Sequence, residues 1–167
     1  EAAQKIKDAG VNRCSISIDG PDAASHDSFR GVPGAFEASL RGIEYLKSVG
    51  MPFQINTTVT RNNLSSFKKI FELCERIGAA AWHIFLLVPM GRASGLADQV
   101  ITAQEYEDVL HWLYDFRKGT KMHLKATCAP HYYRIMRQRA KEEGISVTPE
   151  TFGMDALTRG CLGGTGF

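Results

Sequence analysis

Two stretches, CSISIDG at residues 14–20 and FQINTTV at residues 53–59, decide the fold of this chain. In both, polar or small side chains alternate with apolar ones, which is the pattern of a strand with two different faces. The polar faces consist of Ser15, Ser17 and Asp19 in the first stretch and of Gln54, Asn56 and Thr58 in the second. Parallel strands covered by helices on both sides are normally apolar throughout. We therefore expect helices on the apolar face and a polar face that lines a barrel lumen; a sheet with one face in water is the alternative.

The rest of the chain repeats a strand followed by a helix. Apolar runs predict strands at 14–18, 53–59 and 82–88, and a shorter one at 122–126. Helical spacing, caps and stop signals predict helices over 1–8, over 35–48, from Asn62 or Asn63 to Gly78, from the Thr102–Glu105 capping box onward, and from Pro130 to about Glu143. This order predicts an α/β fold, part of a partial (β/α) TIM-like barrel with parallel strands and outer helices.

Composition excludes several classes of protein. The chain has 167 residues, enough for one domain with a core, and its net charge of +2 gives no sign of nucleic-acid binding. It has no apolar run long enough to span a membrane and no secretory signal, so we expect a cytoplasmic protein. The four cysteines lie far apart without a CxxC pair, which argues against a zinc site or a disulfide framework within this chain. Cys74 follows the apolar spacing of a helix, and it and Cys14 are interpreted as core residues.

Polar loops follow the predicted strands. In parallel α/β sheets, ligands bind at the carboxyl ends of the strands. The side chains expected to meet at that edge are Asp19, Arg30, Asn56, Thr58, Arg61 and Arg92. Each also has a structural interpretation, since Asp19 opens a turn and Asp22 and His26 can stabilise a short helix. The group as a whole therefore predicts a binding site more strongly than any member.

These motifs resemble those of radical S-adenosylmethionine enzymes, in particular those with a SPASM-type auxiliary-cluster domain. The resemblance covers residues 11 to 96 and rests on a strand ending in SIDG, the later HDxxRG, a GxF helix start, the asparagine in the next strand and LVPMGRA at 87–93. The stretches KATCAPHYYRIMRQRA and RGCLGGTGF resemble the heme-biosynthesis branch of that family. One motif of the family, CxxxCxxC, is absent from this chain.

The resemblance implies that this chain is an internal piece of a longer enzyme. Residues 1–127 would form the C-terminal portion of the radical S-adenosylmethionine barrel, and 128–167 a connector into a truncated auxiliary-cluster domain. The ligands of the main [4Fe-4S] cluster would lie outside this chain, and the isolated piece would be inactive. The whole enzyme would cleave S-adenosylmethionine to a 5′-deoxyadenosyl radical, with an electron donor as partner. From the low net charge and the lack of a long apolar run, we expect no nucleic-acid or membrane partner.

The resemblance also implies roles for particular residues. Ser17 and Asn56 would contact the carboxylate or ribose of S-adenosylmethionine, Arg30 would pair with its carboxylate, and Leu87 would pack on the adenine. Arg92 would meet cofactor or substrate. Cys161, and secondarily Cys128, would ligate an auxiliary [4Fe-4S] cluster. No catalytic side chain is identified.

The substrate implied by the heme branch is a tetrapyrrole with a side chain to be modified. His131, Tyr132, Arg134 and Arg137 supply rings and cations suited to a flat anionic macrocycle, although a solvated amphipathic helix explains the same pattern. Two other functions stay open: a radical enzyme that matures a peptide, and a barrel binding domain without radical chemistry.

Overall fold

A computed structural model of the protein describes residues 1–127 and 129–152. Four parallel strands form one sheet in the order β1-β2-β3-β4: β1 (Cys14–Ser17), β2 (Phe53–Val59), β3 (Ala81–Leu86) and β4 (His123–Thr127). Neighbouring strands in the sheet are consecutive in the chain, as they are in the wall of a (β/α) barrel. The predicted parallel α/β fold is therefore confirmed, with each strand within two residues of its predicted bounds.

Helices connect the strands. They are α1 (Ala2–Asp8), α2 (Ala23–Arg30), α3 (Ala35–Ser48), α4 (Phe67–Ile77), α5 (Ala103–Phe116), α6 (Tyr132–Glu142) and α7 (Pro149–Phe152), with 3-10 segments at Leu64–Ser66 and Gly91–Gln99. The predicted capping box of α5 is present, because Thr102 Oγ1 accepts from Glu105 N and Glu105 Oε2 accepts from Thr102 N. Among the described residues, no helix combines the length and apolar character needed to cross a bilayer.

One side of the sheet packs against helices. Ile16, Ile55 and Trp82 are aligned by the strand register on this side, and Trp82 is fully buried against rings from α4 and α5. Thr57 is the polar exception on this face. Its hydroxyl donates to Ile18 O at 2.6 Å and accepts from Trp82 Nε1 at 2.8 Å, so both buried polar groups are satisfied.

The prediction that Asn62 or Asn63 caps the next helix is wrong. The helix is preceded by the 3-10 segment Leu64–Ser66, and Asn63 makes no side-chain cap there. Its buried amide instead accepts from Thr60 N and donates to Thr58 O and Asp19 O. Asn63 therefore ties together the ends of β1 and β2, which positions the site described next.

Candidate functional site

The second face of the sheet is mostly polar, and its polar side chains are half-buried or exposed, whereas the side chains of the first face are mostly buried. Parallel register places Ser17 beside Asn56, Asn56 beside His83, and His83 beside Lys125. Side chains in register on neighbouring parallel strands point to the same face. Ser17 and Lys125 are exposed, and Asn56 and His83 are half-buried. We call these four residues the cross-strand row.

Asp19 stands at the carboxyl end of β1 and is buried. Its Oδ1 accepts from Thr58 N at 2.7 Å, and its Oδ2 forms an ion pair with Arg30 Nη2 at 2.5 Å. Burial raises the pKa of Asp19, and the Thr58 N–H and the Arg30 charge oppose that rise. Asp19 thus joins two strand ends to α2.

The HDxxRG motif, His26 to Gly31, is explained by backbone contacts. His26 Nδ1 accepts from Asp19 N at 3.0 Å, and burial lowers the pKa of this imidazole. The carboxylate of Asp27 accepts from Gly34 N at 2.6 Å and from Phe36 N at 2.8 Å, which satisfies free N–H groups at the start of α3. These N–H groups lower the pKa of Asp27. The motif therefore shapes the loop that carries Arg30 to the edge of the sheet.

A hydrogen-bond network runs along the polar face. Gln54 Nε2 lies 3.0 Å from Asn56 Oδ1 and 3.2 Å from His83 Nδ1. Burial is the largest cause that lowers the pKa of His83 to about 4, followed by the positive charge of Lys125. The imidazole is therefore neutral at pH 7. Sequence reasoning missed this network, whose signal was one polar residue, His83, in an otherwise apolar strand.

Leu87 lies one residue beyond β3, where its N–H still donates to Val59 O at 3.3 Å. The prediction of strand through residue 88 is wrong by two residues, since β2 ends at Val59 and Pro89 has no N–H to donate. Leu87 is half-buried at the carboxyl edge, and its contact with adenine stays a prediction. Arg92 lies in the 3-10 segment Gly91–Gln99. Arg61 contacts the residue that follows this segment, because its guanidinium donates to Val100 O.

The predicted substrate residues on α6 lie at an interface with α5. Tyr132 is buried, and Arg134 forms an ion pair with Glu107 of α5. His131 makes an edge contact with Tyr106, with 5.6 Å between ring centroids, and the Arg137 guanidinium lies 5.9 Å from the Tyr133 ring. Helix packing thus explains Tyr132 and Arg134 without a substrate, and the substrate role of the four stays a prediction.

Cys128 and Cys161 lie outside the described residues. Of the cysteines within them, Cys74 is buried, with its pKa raised by desolvation, and Cys14 Sγ lies 3.3 Å from Met51 Sδ. Both therefore have the structural role expected of them. Over 1–127 and 129–152 no group of three or more His, Cys, Asp or Glu side chains is arranged to hold a metal ion.

Comparisons with known proteins agree on one family. The profile of the Radical SAM superfamily matches residues 1–74. A protein named AdoMet-dependent heme synthase from Nitratidesulfovibrio vulgaris is 80% identical over 167 residues, which is 100% of this chain and 46% of that protein. One of the same name from Methanosarcina barkeri is 56% identical over 167 residues, 100% of this chain and 47% of that protein. The chain thus spans under half the length of these relatives.

Solved structures show the same fold. One described as native anSMEcpe with bound AdoMet and Cp18Cys peptide has a TM-score of 0.59 at 18% identity, over 87% of this chain and 41% of that chain. Residues 1–74 of this chain therefore match the radical SAM superfamily, and the parallel sheet, the motif loop from Asp19 to Arg30 and these relatives agree with that match.

Proposed function

We propose that this chain forms the cofactor-contacting wall of a radical S-adenosylmethionine enzyme that acts in heme biosynthesis. The observation that carries the proposal is the pairing of Ser17 with Asn56 on the open polar face, next to the Asp19–Arg30 pair at the carboxyl edge. The family profile and relatives named for AdoMet-dependent heme synthesis support it.

The described residues fit S-adenosylmethionine. The Ser17 hydroxyl and the Asn56 amide offer neutral donors to a carboxylate or ribose, and the Gln54 contact to Asn56 Oδ1 directs the Asn56 NH2 group to other acceptors. The Arg30 side chain keeps 36% of its surface exposed while pairing with Asp19, so N–H groups are left for a ligand carboxylate. Leu87 supplies apolar surface for the adenine, and Arg92 completes the proposed set.

The described residues do not fit an iron–sulfur cluster, because they contain no cluster of thiolates or other metal ligands. The ligands of the main [4Fe-4S] cluster are proposed to lie elsewhere in the longer protein, and Cys161 and Cys128 stay proposed ligands of an auxiliary cluster. S-adenosylmethionine, when bound beside a reduced cluster, supplies the radical that removes a hydrogen atom from the substrate. The part of this chain is to bind and orient: Ser17, Asn56 and Arg30 hold the polar end, and Leu87 excludes water at the adenine.

The proposed substrate is a tetrapyrrole, and the proposed reaction modifies one of its side chains. Relatives named Fe-coproporphyrin III synthase, at 28% identity over 125 residues, and pre-heme d1 synthase, at 34% over 92 residues, support this class. We also propose that residues 1–127 are the barrel portion and 128–167 the connector to an auxiliary domain.

Calorimetric titration of S-adenosylmethionine into the full-length, cluster-loaded protein tests the cofactor site. Ser17→Ala and Asn56→Ala should each weaken binding by about 1–2 kcal/mol, the value of one hydrogen bond to a charged or polar group. Ser15→Ala is the matched control, since Ser15 is an exposed serine on the same face, one row earlier. Equal affinities in the unmutated protein and both variants would remove Ser17 and Asn56 from the site.

Product analysis tests the reaction. The reduced enzyme should release methionine and 5′-deoxyadenosine, and should change the mass of an iron coproporphyrin but not of a cysteine-containing peptide. Turnover of the peptide alone would favour the peptide-maturation alternative.

A further inference from the structure

Basic side chains gather on the polar face of the sheet, apart from the proposed cofactor residues. Register places His83 beside Lys125 in the cross-strand row, and His123 lies one row earlier on the same face. The His83 and His123 rings meet edge-on with centroids 6.0 Å apart. Arg13 precedes β1 and acts on His83 as a nearby positive charge, as Lys125 and His123 also do. Arg13, His123 and Lys125 are exposed. We call these four residues the basic group.

No acid in the described part of the chain neutralises the basic group. None of the four strands contains Asp or Glu, and no ion pair within the described ranges involves Arg13, His123 or Lys125. Asp19, at the carboxyl edge, is buried and pairs with Arg30. The contrast with α6 is direct, because Arg134 and Arg139 there have Glu107 and Asp115 as partners. The unpaired charges of Arg13 and Lys125 repel one another and attract an anion.

His83 has a donor to offer. The Gln54 amide nitrogen, which also contacts Asn56 Oδ1, donates to His83 Nδ1. A neutral imidazole that accepts at Nδ1 carries its proton on Nε2. No described residue accepts a hydrogen bond from this Nε2–H, so His83 can donate to a ligand oxygen beside Lys125.

We propose that His83 and Lys125, with Arg13 and His123 around them, bind carboxylate groups of the tetrapyrrole substrate. This inference rests on the proposed function and assigns the substrate side of the same site. Neighbouring strands lie about 4.8 Å apart, so His83 is about 5 Å and Lys125 about 10 Å along the row from Asn56. Carboxylates held there keep the macrocycle next to the proposed cofactor contacts, within reach of hydrogen abstraction.

Absorbance titration of the full-length protein with iron coproporphyrin III, which has four carboxylates, tests the inference. Its tetramethyl ester, which has none ionised, is the second probe. Lys125→Ala and His83→Leu should each raise the Kd for the acid by about 10- to 150-fold, the effect of losing one charge-assisted hydrogen bond, and leave the Kd for the ester unchanged. Lys69→Ala, which removes an exposed lysine of α4 without an ion pair among the described residues, is the matched control and should change neither. The Kd for S-adenosylmethionine should stay within about twofold of the unmutated value in all three variants.

Each other outcome overturns the inference. If acid and ester lose affinity equally, the residues act through shape rather than carboxylate binding. If only the unfolding midpoint falls in Lys125→Ala, with porphyrin affinity intact, the basic group binds an acidic segment of the longer protein instead. If the variants weaken S-adenosylmethionine alone, the row belongs to the cofactor. Failure of the unmutated protein to bind the porphyrin refutes the proposed tetrapyrrole substrate as well. If only Ser17→Ala and Asn56→Ala lose porphyrin affinity, the tetrapyrrole substrate stands and the role of the basic group is refuted.

Discussion

Replacement of Arg30 by methionine should destabilise the fold in a pH-dependent way. The substitution keeps an unbranched apolar stem and removes the cation 2.5 Å from the buried Asp19 carboxylate. Leaving a fully buried charge without its partner costs about 3–5 kcal/mol. Because 36% of the Arg30 side chain is exposed, water screens part of the interaction, and we expect a loss of about 2–3 kcal/mol in the free energy of unfolding at pH 7.

The pH dependence follows from the Asp19 carboxyl. Its pKa is already raised above 3.8 by burial, and removal of Arg30 raises it further. The folded variant then binds a proton at Asp19 more tightly than the unfolded chain does, so the contribution of Asp19 to its stability is greatest below pH 3.8 and falls as the pH rises through the raised pKa. The loss in free energy of unfolding relative to the unmutated protein should therefore become smaller as the pH is lowered from 7 to 5.

Urea unfolding of the protein at both pH values, followed by the fluorescence of Trp82 and Trp112, measures this effect. The double variant Asp19→Asn/Arg30→Met is the control, because the amide oxygen still accepts from Thr58 N and no charge is buried. It should recover most of the stability at pH 7. A deficit that is the same at pH 7 and pH 5, or a double variant no more stable than Arg30→Met, would refute the reasoning.

Three further predictions concern the sheet and its loops. Thr57→Val should cost about 1–3 kcal/mol in unfolding free energy, because it leaves the buried Trp82 Nε1–H without an acceptor; Thr57→Ser should cost clearly less, and equal losses would contradict the assignment. Gly20→Ala should destabilise the fold by about 1–3 kcal/mol, since the added Cβ would lie 2.6 Å from a backbone nitrogen of α2. Gly42→Ala, which has open space around it in α3, should stabilise the fold by about 0.5–1 kcal/mol. Changes of the same sign for both variants in thermal unfolding would count against this. The lowered pKa of His83 should make stability rise with pH between about 4 and 6.5, by roughly 1–2 kcal/mol after allowance for partial exposure, and His83→Gln should flatten that part of the urea-derived profile; an unchanged slope would show that another group titrates there.

Alternation in two short stretches predicted the two faces of the sheet, and apolar runs predicted its other two strands. Ile16 and Ile55 mark the covered face and Ser17 and Asn56 the open one, because side chains of a strand alternate strictly between faces. Register brings Ser17 and Asn56 together, as a shared face required. What each of them binds is a prediction that rests on the family.

Contacts between distant residues could not be predicted in the same way. Asn63 looks like a helix cap in sequence, yet its amide reaches Asp19, 44 positions earlier. The α6 cations suggested an anionic ligand, but Arg134 pairs with Glu107, 27 positions away. His83 and Lys125 become neighbours only through the pairing of β3 with β4. Such contacts depend on strand pairing and helix packing, which one sequence does not reveal.

The buried anchor at Asp19 has a consequence for how this edge of the sheet opens. Ladder ends usually fray first and exchange their amide hydrogens fastest. Here the amide of Asp19 is held by the His26 ring, that of Thr58 by the Asp19 carboxylate, and that of Thr60 by the Asn63 side chain. Opening any one of them requires α2 and the turn at Asn63 to release the strands together. The backbone amides at the edge that carries the proposed ligand contacts should therefore exchange their hydrogens as slowly as those of the core. The proposed site would then lie on a rigid part of the sheet.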